Sequence, residues 1–248
     1  MEEEIEEILS YKHIPEEEYI GPGPLGDTGC GLQLGLRLAT KITGDKTIIV
    51  ANGDHAKTIG TSSKVPFIAM EKLKIPYSFK NRDETLLCYD TTGDVETLLE
   101  ACKKADVVIS CNHENKKLAK TMASSKIEYV ATASLGYILD FLNKVKKAKH
   151  FNSSFIHLFA PCPNEYDFDP SNTVEVSRRI VNTGLFPLFE IKNKMWELTV
   201  RKRTLEPVEV FYNSQGKYKK TEEELENKQR KVNVSWKQMK EEKFWEAD

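Results

Sequence analysis

The stretch IEYVATASLGYILDFLNKVKKAKHFNSSFIHLFAPCP, residues Ile127 to Pro163, has the pattern of a strand, a helix and a second strand. Tyr129-Val130-Ala131 is short and apolar, and Ser134 is placed to accept a backbone N–H at the start of the helix. A set of apolar residues then recurs at helical spacing and predicts one core-facing stripe: Leu135, Ile138, Leu139, Leu142 and Val145.

Phe155 to Ala160 is predicted to be the second strand, and Pro161 ends it because proline has no N–H to give to a neighbouring strand. A strand, a crossover helix and a strand predict a parallel sheet with right-handed connections. Similar alternations precede this stretch, so the fold prediction is a doubly wound α/β domain with a mostly parallel sheet. The expected boundaries are an N-terminal arm at 1–24, the α/β domain at 25–190, and an extended and helical C-terminal arm at 191–248.

The charge balance and the hydropathy of the sequence argue against several classes of function. The 248 residues include 36 basic and 38 acidic side chains, a net charge of -2, whereas a nucleic-acid binder gains affinity from a basic excess. No apolar run approaches the length of a membrane span, and the first nine residues, MEEEIEEIL, are acidic and unlike a signal peptide. The expectation is therefore a cytoplasmic protein that binds neither nucleic acid nor membrane.

Five cysteines lie at wide spacings, which argues against a disulfide framework and excludes a CxxC zinc or thioredoxin motif. Three of them lie on predicted strands and a helix and are interpreted as core residues: Cys88, Cys102 and Cys111. The other two, Cys30 and Cys162, stand in loops, next to glycine and proline respectively. They are the candidates for ligands.

Several segments of the second half, in order, resemble the β subunits of 2-oxoacid:ferredoxin oxidoreductases of the pyruvate synthase group: YVATAS, FLNKVKKA, SFIHLFAPCP, TVEVSRRIVNTGLFPLFEI and EPVEVFYNSQGKY. The resemblance covers about residues 17–240. It implies a fold of the thiamine-diphosphate-binding type and a complex with α- and γ-type subunits that passes electrons to ferredoxin. Such complexes oxidatively decarboxylate a 2-oxoacid to acyl-CoA or run the reverse reaction, and a chain of this kind is expected to be inactive alone.

Members of that family hold thiamine diphosphate and Mg²⁺ with a GDG loop and, one βα unit later, an Asn. In this sequence Asp90 stands at the place of the metal-binding Asp, while Tyr89 and Thr91 replace the flanking glycines. Gly93-Asp94 offers a second way to align the family's GDG loop with this sequence. The other half of the motif falls on a short polar run after the next strand, which gives three further candidates: Asn112, His113 and Asn115. The open alternative for Asp90 and Asp94 is a loop carboxylate that caps the next helix.

The family's [4Fe-4S] cluster uses four cysteine thiolates. Here Cys30 and Cys162 occupy two of those places, while Asp27 and Asp54 occupy the other two, so an ordinary four-thiolate cluster cannot form. Two interpretations stay open. Either the remaining cysteines persist as packing residues, or the four side chains converge on a single Zn²⁺ or Fe²⁺ ion. With the eroded thiamine motif, this leaves a non-catalytic scaffold or regulatory subunit as the alternative to a catalytic one.

Other charged and polar residues receive simpler interpretations. His157 is predicted to be a packed core histidine, and His55 a surface turn residue. The basic run from Lys144 to Lys149 is interpreted as the solvated face of its helix, with the steering of an acidic ferredoxin as the alternative. The polar helix expected from Thr221 onward is likewise interpreted as solvated rather than as wrapped around a partner or the domain surface.

Overall fold

The computed structural model describes residues 8, 10–21, 27–60, 62–75, 83–111, 117–192 and 194–241. The strands are β1 (Thr47–Asn52), β2 (Phe67–Ala69), β3 (Thr85–Asp90), β4 (Val107–Ser110), β5 (Tyr129–Ser134), β6 (Ser154–Phe159), β7 (Phe189–Lys192) and β8 (Met195–Leu198). The α-helices are α1 (Gly31–Thr43), α2 (Asp54–Gly60), α3 (Val95–Cys102), α4 (Leu118–Ser124), α5 (Ile138–Ala148), α6 (Pro163–Tyr166), α7 (Thr173–Asn182), α8 (Val208–Tyr212) and α9 (Glu222–Lys240).

The eight strands form one sheet in the order β2-β1-β3-β4-β6-β5-β7-β8. The first six pair in parallel, and β7 and β8 join as an antiparallel hairpin against β5. The predicted doubly wound, mostly parallel α/β sheet is therefore confirmed. Its register places the last residues of three neighbouring strands side by side, because Asn52 pairs with Asp90 and Asp90 pairs with Ser110.

Helices cover both faces of the sheet. One core joins α1, α2 and α5 to one face through residues such as Leu36, Ile59 and Leu142. A second core joins α3, α4 and α9 to the other face through Leu98, Leu118 and Trp236. Coverage on both faces explains why the central strands are buried along almost their whole length, as parallel strands usually are.

The helix of the opening stretch starts later than predicted. Ser134 is the last residue of β5, and α5 begins at Ile138. The hydroxyl of Ser134 donates to the carbonyl of Ser177 at 2.7 Å and accepts from the backbone N–H of Gly136. A Cβ at Gly136 would lie 2.3 Å from the backbone N of Arg178. The chain therefore passes tightly against α7 before it can turn into the helix, and Ser134 is a turn residue rather than the N-cap.

The interpretation of the basic run as a solvated face is wrong for Lys144, whose side chain is 1% exposed. Its ammonium donates to the Asp140 carboxylate at 2.7 Å, the Thr132 carbonyl at 2.8 Å and the Thr199 hydroxyl at 2.7 Å. Burial lowers the pKa of Lys144, and the neighbouring Asp140 opposes that shift. The β7–β8 hairpin causes the difference, because it adds two strands beyond β5 and covers this part of α5.

The solvated interpretation of the C-terminal helix is also wrong for one edge of it. α9 begins with a capping box between Thr221 and Glu224, and Val232, Trp236 and Met239 are buried against the domain. The remaining face is charged and exposed, which is why the sequence looks solvated. The division into arms at 1–24 and 191–248 stays a prediction. Among the described residues, no helix is both long and apolar enough to cross a membrane.

Candidate functional site

Asp90 ends β3 between two polar residues that end the neighbouring strands. Asn52 closes β1, Ser110 closes β4, and both stand beside Asp90 in the register of the sheet. Ligands of open α/β sheets bind at this carboxyl edge, so the position fits the prediction that Asp90 lies at the thiamine site. Its side chain, however, is fully buried.

The carboxylate of Asp90 is surrounded by hydrogen-bond donors from the protein itself. Oδ1 accepts from Asn52 Nδ2 at 2.8 Å and from Thr92 Oγ1 at 2.7 Å. Oδ2 accepts from the Gly93 backbone N at 2.9 Å and from Ser110 Oγ at 2.9 Å. A carboxylate has about four acceptor positions, and all four are used. The arrangement therefore does not fit a magnesium ion held by Asp90, which needs an open oxygen pointed at the metal.

The residues that replace the motif's glycines occupy space beside Asp90. Tyr89 is fully buried, donates its hydroxyl proton to the Leu32 carbonyl of α1 at 2.7 Å and accepts from the Cys111 thiol. Thr91 Oγ1 lies 2.1 Å from where a Cβ of Gly53 would be, and Gly53 has a φ of +89°. Both side chains thus tie the β3 loop to neighbouring segments instead of leaving backbone amides open to a diphosphate.

Asp94 has the structural role that the sequence left as an alternative. It is the N-cap of α3, where its carboxylate accepts from the Glu96 backbone N at 3.2 Å and from the Thr97 hydroxyl at 2.8 Å. Asp90 does not cap that helix. The assignment of Gly93 and Asp94 to a cofactor site stays a prediction. Asn112, His113 and Asn115 lie outside the described residues.

The segments that carry Cys30 and Cys162 lie against each other. The N–H of Gly31 donates to the Pro161 carbonyl at 3.2 Å, so the residues that follow one cysteine touch those that precede the other. Burial is the main cause that raises the pKa of the Cys30 thiol, and its electrostatic interactions with Cys162 and Asp27 add to it. A raised pKa favours the thiol over the thiolate, which is the form that binds a metal.

The two aspartates of the predicted metal site differ in position. Asp27 lies near Cys30 and lines the same surface cavity, which has a volume of about 580 Å³. Asp54 is the first residue of α2, where the sequence predicted only a turn, and its side chain is 97% exposed beside Lys57. Within the described part of the chain, no three His, Cys, Asp or Glu side chains are placed to hold a metal ion. The mononuclear site stays a prediction.

Sequence reasoning missed the partners of Asp90. The signal was available, because Asn52 and Ser110 are polar residues at the ends of otherwise apolar strands, as Asp90 is. Side by side in a parallel sheet, such residues meet at one edge. We refer to Asn52, Asp90, Thr92, Gly93 and Ser110 together as the Asp90 cluster. His157 is buried, as predicted, whereas His55 is exposed but lies in α2 rather than in a turn.

Comparisons with known proteins agree with the resemblance seen in the sequence. The chain is 29% identical over 268 residues to pyruvate synthase subunit PorB of Methanothermobacter thermautotrophicus, with 85% of this chain and 93% of the relative covered. It is 27% identical over 301 residues to ketoisovalerate oxidoreductase subunit VorB of Pyrococcus furiosus, with 95% and 96% covered. The chain is a divergent, shortened homologue of these β subunits.

The shortening is visible in the alignments themselves. The first alignment extends over 268 residues but includes only 85% of this 248-residue β-type chain, so the relative has many residues that this chain lacks. The likeness is stronger in one part, since PorB of Methanosarcina barkeri is 39% identical over 107 residues, 42% of this chain. No family model matches the chain.

Among solved structures, a chain of a 2-oxoglutarate:ferredoxin oxidoreductase from Magnetococcus marinus is similar to the present chain, with a TM-score of 0.46 and 13% sequence identity. It covers 61% of this chain and 70% of that one.

Proposed function

We propose that this chain is a β-type subunit of a 2-oxoacid:ferredoxin oxidoreductase-like complex and that its own role there is structural. The relatives named above are subunits of enzymes that act on pyruvate and on ketoisovalerate, both of which are 2-oxoacids. In the proposed complex the partners are α- and γ-type subunits, with ferredoxin as the electron acceptor. This chain alone has no 2-oxoacid oxidoreductase activity.

The observation that carries the structural role is the saturation of Asp90. Four donors from the chain occupy the carboxylate at 2.7–2.9 Å; Asn52 and Ser110 are buried, Gly93 is half-buried and Thr92 is exposed. Magnesium binding there would leave buried donors of the Asp90 cluster without acceptors, which costs about 1–3 kcal/mol for each such group. This cost supports the proposal that the chain keeps the fold without holding magnesium at Asp90.

The electron-carrying site supports the same interpretation. Two of the four cysteines that the resemblance implies are retained, but Asp54, at the place of a third, is 97% exposed at the start of α2. A [4Fe-4S] cluster needs four ligands. The subunit therefore contributes its sheet and its surfaces to the complex, without a bound thiamine diphosphate or an iron–sulfur cluster of its own.

A second candidate function follows from the approach of Cys30 to Cys162 with Asp27 beside Cys30. In this second function Cys30 and Cys162 would supply two ligands of a mononuclear Zn²⁺ or Fe²⁺ site, and a partner subunit would supply the others. Metal analysis of the purified complex distinguishes the two candidates. One equivalent of metal that is lost in Cys30→Ala supports this second function, and no bound metal excludes it.

Membership of a complex is tested by affinity purification of the tagged full-length chain from its own cells without oxygen, followed by mass spectrometry and size measurement. The proposal predicts α- and γ-type subunits in fixed ratio with the tagged chain. A chain that elutes alone, under conditions that keep catalytic homologues assembled, would contradict it.

A further inference from the structure

A cavity of about 310 Å³ lies on the α3–α4–α9 side of the sheet and shares no lining residue with the Asp90 cluster. Lys117 and Lys120 at the start of α4 place it near the carboxyl end of β4, because α4 follows that strand. Residues 184–187 lead into β7, which is antiparallel to β5, so they border the carboxyl end of β5. The cavity thus has the position at which α/β sheets bind ligands, and α9 closes it from the side.

The rim of this cavity is basic. Lys117 and Lys120 come from α4, while Lys228 and Lys231 come from α9, one turn apart on the helix. Among the described residues that line the cavity, none is acidic. Lys228 and Lys231 contribute a positive potential at this opening that attracts an anion, and a concave site concentrates that potential.

The interior of the cavity is apolar. Its lining includes Leu185, Phe186, Pro187, Val232 and Met239. At its base, His157 is 1% exposed and its ring meets that of Phe186 edge to face, with 5.2 Å between the centroids. A small-molecule site of roughly 300–1,000 Å³ typically combines such an apolar lining with a few charged groups.

We propose that this cavity binds a small organic anion with an apolar body, such as an arylalkyl or branched-chain carboxylate. The apolar part lies against Phe186, Val232 and Met239, and the carboxylate lies among the rim lysines. The site is separate from the Asp90 cluster and does not depend on thiamine diphosphate, so it is retained whether or not the chain is catalytic. Because α9 supplies half of the rim, a bound ligand also holds that helix against the domain.

Ligand-detected NMR, by saturation transfer from the full-length protein, tests the proposal with phenylacetate and its neutral isostere phenylacetamide. Phenylacetate is expected to bind at least about fivefold more tightly, since each exposed charge pair adds a modest favourable term. Raising the salt concentration should weaken only the charged ligand. Equal binding of the two ligands, or no transfer to phenylacetate, would overturn the proposal.

Variants locate the site. The double variant Lys228→Gln/Lys231→Gln is expected to weaken phenylacetate binding about five- to tenfold. The matched control Arg230→Gln/Lys237→Gln removes two charges from the same helix outside the cavity and should leave binding within about twofold. Equal losses in both double variants would show that net charge alone matters, and the proposal would fail.

A third variant fills the cavity without changing any charge. Ser235 is exposed on α9 and lines the opening, so Ser235→Phe places a ring where the ligand's body would be. Loss of both phenylacetate and phenylacetamide binding is expected, with circular dichroism showing that the helix content is unchanged. Undiminished binding in Ser235→Phe would place the ligand elsewhere and refute the assignment.

Discussion

Asn52 and Asp90 end adjacent parallel strands, and the Asn52 side-chain amide donates to the Asp90 carboxylate at 2.8 Å. The bond joins β1 to β3 at the edge where a β subunit of this kind is expected to hold its cofactor. Asn52 is 6% exposed and Asp90 is fully buried, so this contact is inside the protein. The carboxylate that the sequence placed at a metal site thus makes its contacts within the fold.

Replacing Asp90 should therefore lower stability. Asp90→Asn leaves an amide N–H₂ facing donors such as Gly93 N and Ser110 Oγ, and we expect a loss of about 2–4 kcal/mol in the free energy of unfolding. Urea denaturation measures it. The control is Asp94→Asn, which keeps a good N-cap side chain and should cost less than about 1 kcal/mol. Equal, small effects for both would show that the Asp90 cluster does not support the fold.

The buried ion pair between Lys144 and Asp140 predicts a second difference. Lys144→Met removes one partner and leaves the Asp140 carboxylate, which is only 14% exposed, without its cation. We expect a loss of about 3 kcal/mol in unfolding free energy. Lys149→Met, at an exposed position of the same basic run, should change it by less than about 1 kcal/mol. A Lys144 variant as stable as the Lys149 variant would contradict the burial described here.

Substitutions on the buried and the exposed face of α9 test how this helix packs on the domain. Trp236 is 6% exposed, so Trp236→Ala should cost about 3–5 kcal/mol in unfolding free energy. Val234 is 58% exposed on the other face, and Val234→Ala should stay within about 0.5 kcal/mol. Thermal and urea unfolding measure both. If Trp236→Ala left stability unchanged, α9 would be a solvated helix after all.

The ion pair between Arg37 and Glu18 predicts part of the loss of folding stability at low pH. Arg37 binds Glu18 through two nitrogens at 2.6 and 2.8 Å, and this contact lowers the pKa of Glu18 to about 2. Because that pKa is below its unfolded value, the stabilisation is present above about pH 4.5 and is lost as the pH falls towards 2. The pair is partly exposed, so it contributes less than about 1 kcal/mol.

The comparison of wild type with Glu18→Gln at pH 7 and pH 2.5 measures that contribution. The difference in unfolding free energy between them should be full at pH 7 and mostly lost at pH 2.5, near the folded-state pKa of Glu18. Glu17→Gln, whose side chain is exposed, should follow wild type at both values. A difference between wild type and Glu18→Gln that persists in full at pH 2.5 would contradict the assignment.

Sequence reasoning predicted the sheet because the strands of this chain are short, apolar and separated by helical periodicities, which are local signals. It did not predict the burial of Lys144, since that depends on the β7–β8 hairpin, which is distant in the chain. It also left open whether Asp90 binds a metal or a neighbour. That choice is made by Asn52 and Ser110, whose proximity becomes clear only from the strand order.

The central claim is that Asp90 is closed to magnesium, and the thiamine diphosphate content of the purified complex tests it most directly. The complex is isolated with its partner subunits, and the cofactor is released and measured per β-type chain by fluorescence after oxidation to thiochrome. We expect far less than one molecule per chain, unchanged in Asp90→Asn complexes that still assemble. One molecule per chain in wild type, lost in Asp90→Asn, would contradict the account.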